Sequence, residues 1–341
     1  MTPGNVNYRT IFLNLIVVLC TVILSACGVL GIGQKADTST LYNSGNSTLT
    51  VRIDTSVELA GFDIEKNARA VQLKIFYPEQ GGPYPLIVLS HGTFSSIERY
   101  DLIGNYWAAR GYVVILPQHV DANYGVQPTS FSVMQNVALS RVQDMSLVLD
   151  ELDDIEQQLP DLAGKIQRDV YVAAGHSIGT QVAMLVTGLQ FRTSYDGQLI
   201  MAMEDRYSTL VLVSDPGKMR LMPSEAWVGS GVPTFMATGT DDYGVMGQRG
   251  EATEKQSKVL ANDAPVDRYL LLLDKGDHYF GGLVQKDVDT APDHEGLAIF
   301  NATSTAFLDA YTKGSGVAEY YLGNVDMEAV TGQRASLTRH E

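Results

Sequence analysis

The sequence predicts an α/β fold: one domain on a mostly parallel sheet of about eight strands, with helices on both faces. Strand-like and helix-like stretches alternate along the chain. Strands such as Leu86-Ile87-Val88-Leu89 and Leu210-Val211-Leu212-Val213 are apolar throughout, the pattern of strands buried on both faces. His91, Ser177, Asp215, Asp242 and His278 each fall just past such a strand, where open α/β sheets collect their reactive groups.

Taken in order, residues 1–26 read as a signal peptide. Arg9 is the only charge, Ile11 to Leu24 is shorter than a typical span of roughly 20 apolar residues, and Leu24-Ser25-Ala26-Cys27 follows at once. The pattern resembles a bacterial lipoprotein signal. That resemblance implies lipidation of Cys27 and a place in the cell envelope, anchored outside the cytoplasm on the periplasmic side or the cell surface. Residues 27–50, rich in Gly, Ser, Thr and Asn, read as a flexible tether. The catalytic domain is expected over 51–313. Its strands are Ala70 to Tyr77, Leu86 to Ser90, Tyr112 to Leu116, Val170 to Ala174, Thr209 to Ser214, Thr234 to Thr238 and Arg268 to Leu273. Its helices are Glu98 to Arg110, Phe131 to Gln158 and Ala291 to Tyr311, and residues 314–341 read as a polar tail.

Composition excludes several classes. The net charge is −15, and −15 less the positive charge of Arg9 gives −16 after signal removal, so the surface repels phosphate backbones and no nucleic-acid partner is expected. The two cysteines are Cys20, inside the signal, and Cys27, so no disulfide forms within the mature chain. His-Glu-x-x-His, paired Cys-x-x-Cys, the P-loop and a helix-opening Gly-x-Gly-x-x-Gly are all missing, and neither metal nor cofactor is expected. The acidic run Asp150 to Asp154 lacks the glycine turn of a calcium loop and reads as a solvated helix face.

Gly175-His176-Ser177-Ile178-Gly179 follows an apolar strand and precedes a helix-compatible stretch, as in a nucleophile elbow that lifts Ser177 with its hydroxyl exposed. A serine hydroxyl needs a base within hydrogen-bond reach and a third group to orient that base. Of the six histidines, His176 lies inside the elbow, His91 in an upstream turn, His119 before the elbow strand and His340 near the end, which leaves His278, with His294 the competitor in chain order. For the acid, Asp242 has Gly-x-x-Asp spacing after a strand; Asp215 is the rival one strand earlier, and Asp241 a further alternative. The oxyanion donors are expected to be the amides of Ile178 and of Thr93, with Phe94 as the alternative, because His91-Gly92 lets the backbone approach closely.

Tyr84 to Gly92, Arg141-Val142-Gln143-Asp144, the GHSIG elbow and Gly276-Asp277-His278 together resemble the dienelactone-hydrolase-like α/β-hydrolases. The platelet-activating-factor acetylhydrolases and polyester-degrading cutinase-like enzymes are more distantly similar. The resemblance, over roughly Val51 to Lys313, implies the α/β-hydrolase fold and ester hydrolysis by a serine. A phospholipid acyl hydrolase and a non-catalytic binding protein on the same fold are the alternatives.

Overall fold

The computed structural model describes residues 40–45, 48–62, 67–124, 131–192, 199–200, 202–214, 231–243 and 266–340. In chain order these form β1 (Val51–Asp54), β2 (Glu58–Phe62), β3 (Ala68–Pro78), β4 (Tyr84–Ser90), α1 (Asp101–Ala108), β5 (Val113–Pro117), α2 (Phe131–Asp150), α3 (Leu152–Gln158), β6 (Ile166–His176) and α4 (Ile178–Val186). There follow β7 (Phe191–Arg192), β8 (Leu199–Ile200), β9 (Tyr207–Val213), β10 (Thr234–Gly239), β11 (Arg268–Leu273), α5 (His294–Lys313), α6 (Gly316–Asn324), α7 (Met327–Val330) and β12 (Ala335–His340).

The main sheet runs β1-β3-β5-β4-β6-β9-β10-β11-β12, with β2 pairing β3; β7 and β8 make a separate hairpin-like pair. From β5 to β11 every pairing is parallel, whereas β1, β3 and β12 join antiparallel at the two sides. This is the α/β-hydrolase arrangement, with helices on both faces. Its central strands are continuously apolar because each feeds two layers of core. On one side Phe76, Ile87, Leu89, Val172, Val211 and Phe235 pack with Trp107 of α1 and Phe300 and Phe307 of α5. On the other, Ile75, Leu86, Val88, Ala173, Leu212 and Met236 pack with Met145 and Val148 of α2 and Val182 and Leu185 of α4. Each such fully buried side chain contributes roughly 1.5–3 kcal/mol.

Local signals set the helix ends. Asp293 caps α5 by accepting from the Gly296 amide at 2.9 Å, and Gly314, in the left-handed region at φ 60°, ends it. The long helix expected over 131–158 divides into α2 and α3 at Glu151, whose φ of −106° and ψ of 25° leave the helical region.

Two expected boundaries are corrected. Residues 41–42 are not tether: Leu41 and Tyr42 are buried, and the Tyr42 hydroxyl donates to Asp309 of α5 at 2.9 Å. Residues 314–340 are folded, not a tail: α6 buries Ala318 and Leu322, α7 buries Met327, and β12 extends the sheet by pairing β11 from Arg268–His340 to Leu273–Ala335. The signal peptide and Cys27 lie outside the described residues.

Candidate active site

The elbow forms because β6 and α4 must pass almost in contact. A Cβ on Gly175 would stand 2.1 Å from the Gly179 carbonyl oxygen, and one on Gly179 would stand 2.1 Å from that of Ser90. Ser177 between them adopts φ 55° and ψ −125°, a conformation that costs a residue with a Cβ on the order of 1–3 kcal/mol and persists because the packing around it fixes it. Its amide donates to the Val213 carbonyl at 2.9 Å, pinning the turn to β9.

Three of the predicted residues meet there. His278 Nε2 lies 2.8 Å from Ser177 Oγ, and His278 Nδ1 lies 2.7 Å from Asp242 Oδ1. The second oxygen of Asp242 accepts from the Thr238 hydroxyl at 2.9 Å. Gly239 permits the closure, since a Cβ there would sit 2.0 Å from the Gly276 carbonyl oxygen, just ahead of His278. Burial works to raise the Asp242 carboxyl. Hydrogen bonds from His278, Thr238 and Ser214 outweigh it and hold the carboxyl below the usual carboxylate range. The group is therefore ionised at neutral pH, where it fixes the Nδ1–H tautomer of His278 and leaves Nε2 as an acceptor facing the Ser177 hydroxyl.

The other expectations sort as follows. Asp215 lies outside the described residues. Asp241 is partly exposed beside Asp242, and His294 is exposed at the start of α5. Ser177 has no solvent exposure, contrary to the expected exposed hydroxyl, and His278 is 3% exposed. Ile178 is the first residue of α4, so its amide has no partner inside the helix. Around the upstream turn, the Gly92 amide donates to Tyr100, the Phe94 amide to Asp121 and the Ser95 amide to the Gly92 carbonyl; among the described residues the Thr93 amide donates to nothing.

Several functional neighbours carry no sequence signal. His176, set aside as a base, bridges the site: Nδ1 lies 3.1 Å from the Tyr100 hydroxyl and Nε2 lies 2.9 Å from the His278 carbonyl. Burial and then the adjacent His278 push its imidazole down to about 3, so it is neutral and donates from Nε2. Deeper still is a second Ser-His-Asp arrangement. His119 places Nε2 2.9 Å from Ser90 Oγ and Nδ1 2.8 Å from Asp144, which also pairs with Arg69. Burial pushes the Asp144 carboxyl up to about 8 against the pull of Arg69 and Arg141. Ser90 sits within β4, paired with Gly175, and not on a strand-to-helix elbow.

The chain is similar to known proteins over part of its length. A chlorophyllase from Chenopodium album, chlorophyllase type 0, is 41% identical over 46 residues, which span 14% of this chain and 13% of that protein. The family model described as chlorophyllase matches residues 37–214. That stretch contains the His91-Gly92 turn and the Ser177 elbow and stops ahead of Asp242 and His278. It gives the predicted α/β-hydrolase esterase kinship a different family name from the relatives expected. With just over half of its residues inside that match, from before the first strand to the end of β9, the chain belongs to the chlorophyllase family.

Proposed function

We propose that this α/β-hydrolase is a serine hydrolase that cleaves carboxylic esters through an acyl-enzyme on Ser177. The observation that carries the reading is the hydrogen-bonded series Ser177–His278–Asp242, at 2.8 and 2.7 Å, on an elbow beside a helix-opening amide with no partner inside its helix. His278 takes the Ser177 proton as Oγ attacks the acyl carbon, and Asp242 stabilises the imidazolium that forms. The amides of Thr93 and Ile178 receive the negative charge on the carbonyl oxygen. The imidazolium then protonates the leaving alcohol, and water, activated by the same histidine, releases the acid.

The test uses p-nitrophenyl esters and a fluorophosphonate probe on Ser177→Ala and Ser90→Ala. Loss of turnover and labelling in Ser177→Ala, with both retained in Ser90→Ala, is expected; the reverse would move the nucleophile to the deeper cluster and overturn the reading. Substrate class is set by a panel varied in acyl and alcohol length that includes short-acyl phospholipids and, on account of the family's name, chlorophyll. For Cys27, lipidation and envelope anchoring are part of the same proposal. Incorporation of a clickable fatty acid that disappears in Cys27→Ala supports them, and a soluble unlabelled wild-type product refutes them.

A further inference from the structure

Beneath the turn that carries Thr93 lies a guanidinium with no exposure to solvent. Arg141 of α2 is clamped by Asp121, with Nε 2.8 Å from Oδ1 and Nη2 2.7 Å from Oδ2. Its remaining reach goes to the turn: Nη1 donates to the His91 carbonyl, and Nη2 to the Gly92 carbonyl at 3.1 Å. The Gly92 carbonyl is thus a convergence point, for it also accepts from His91 Nδ1 at 2.8 Å and from the Ser95 amide at 3.3 Å. The His91 ring is held in the tautomer that does this by the His119 amide, which donates to its Nε2 at 3.2 Å.

The C=O and N–H of a trans peptide point in opposite directions within one plane. Anchoring the Gly92 carbonyl on the Arg141 side therefore turns the Thr93 N–H of the same peptide group away from it. Asp121 removes the neighbouring competitor by accepting from the Phe94 amide at 3.3 Å. A cation on a carbonyl oxygen also polarises the peptide and strengthens its N–H as a donor, an effect that survives because no water screens it.

We propose that Arg141, with Asp121 as its counter-ion, is a positioning residue for ester hydrolysis: it orients and polarises the Gly92–Thr93 peptide so that the Thr93 N–H is presented to the oxyanion. The inference rests on the ester-hydrolase reading and assigns a role to two charged residues that touch neither nucleophile nor base. Their benefit is confined to the moment the carbonyl oxygen becomes negative, so it is expressed in kcat rather than in substrate binding.

The experiment compares wild type with Arg141→Gln and Asp121→Asn. Rates are expressed per active site, counted by the final stoichiometry of fluorophosphonate labelling, with thermal midpoints recorded alongside. Removal of a single oxyanion donor lowers kcat by about 10²–10³. Arg141→Gln is expected to approach that range with KM within about threefold, and Asp121→Asn to lose about tenfold with the same signature. Affinity for a trifluoromethyl ketone, which forms a tetrahedral oxyanion on Ser177, is expected to fall in parallel with kcat. A residue that merely holds the fold together would lower the midpoint and the number of sites but leave kcat per site and ketone affinity at wild-type values, and that result overturns the proposal. If Arg141→Gln yields no folded protein, Asp121→Asn decides by the same criteria. Failure of the underlying reading is separately visible, because Ser177→Ala would then retain turnover.

Discussion

Asp242→Asn isolates one charge in the proposed relay. The carboxylate is 3% exposed and its Oδ1 lies 2.7 Å from His278 Nδ1, so the imidazolium formed during attack sits against an anion with little water between them. Unit charges about 4 Å apart at an effective dielectric near 20 attract by about 4 kcal/mol. At about 1.4 kcal/mol per decade that is a loss of roughly 10³ in kcat when the charge is removed. The asparagine also cannot keep both partners as they now stand, because the Thr238 hydroxyl would have to turn and accept. If its NH₂ turns toward His278 it selects the wrong tautomer, and if it turns away it meets the Thr238 hydroxyl at the position where Oδ2 now accepts at 2.9 Å. The expected loss is therefore between about 10³ and 10⁴, the upper figure being that of the Ser-His-Asp template. The assay is steady-state hydrolysis of a p-nitrophenyl ester from pH 5 to 9, with Asp215→Asn in parallel and expected to stay within about threefold of wild type. An Asp242→Asn enzyme that keeps more than a tenth of its kcat, or an Asp215→Asn enzyme that loses as much, would refute the electrostatic argument.

Three further outcomes are expected. Gly179→Ala drives a Cβ to 2.1 Å from the Ser90 carbonyl oxygen, a backbone atom that cannot swing aside, and should lower stability by more than about 3 kcal/mol in denaturant titration; a near-native midpoint would contradict it. His91 and His176 are held neutral down to about 3, His91 by burial and then Arg141, His176 by burial and then His278. An unfolded histidine protonates near pH 6.5 and these do so only near 3, so their contribution is intact above about 6.5 and is lost as pH falls. At pH 5 each removes about 2 kcal/mol, visible as a falling thermal midpoint although Asp144, with its carboxyl raised to about 8, pulls the other way, and a flat midpoint from pH 7 to 5 would count against it. Deleting residues 314–341 strips the pairing partner from β11 and takes away Leu322 and Met327 with the cover that α6 lays over α5, so the shortened chain should aggregate or melt at least about 10 °C lower, as light scattering and calorimetry would report.

The parts of this layout written in short-range pattern were legible from sequence. Ser177, Asp242 and His278 each follow an apolar strand, and strand ends in a parallel sheet face one rim, so chain order alone brought the three together in expectation. Thr93 was legible for a similar reason, as the residue after a His-Gly turn. Tyr100, Asp121 and Arg141 were not assigned site roles because their importance lies in partners far along the chain: Tyr100 meets a histidine 76 positions away, and Arg141 meets carbonyls 49 and 50 positions away. Ser90, His119 and Asp144 were hidden in the same way. The edge elements were missed for a different cause. β12 reads Ala-Ser-Leu-Thr-Arg-His, a short polar edge strand that buries only Ala335 fully, and β2 alternates in burial but carries Gly61 where a strand signal wants a side chain. Edge strands make weak patterns because only part of their surface meets the core.

The docking of Tyr42 changes how far any upstream attachment could let this protein travel. Had residues up to the first strand been slack, the leash would have run to Val51; with Leu41 and Tyr42 sewn to α5, it ends about ten residues sooner, a shortening of up to ~35 Å at full extension. Mechanical load from that side enters through a helix in the interior of the fold and bypasses the exposed margin of the sheet. A protein tied down in this way would stay close to whatever holds it.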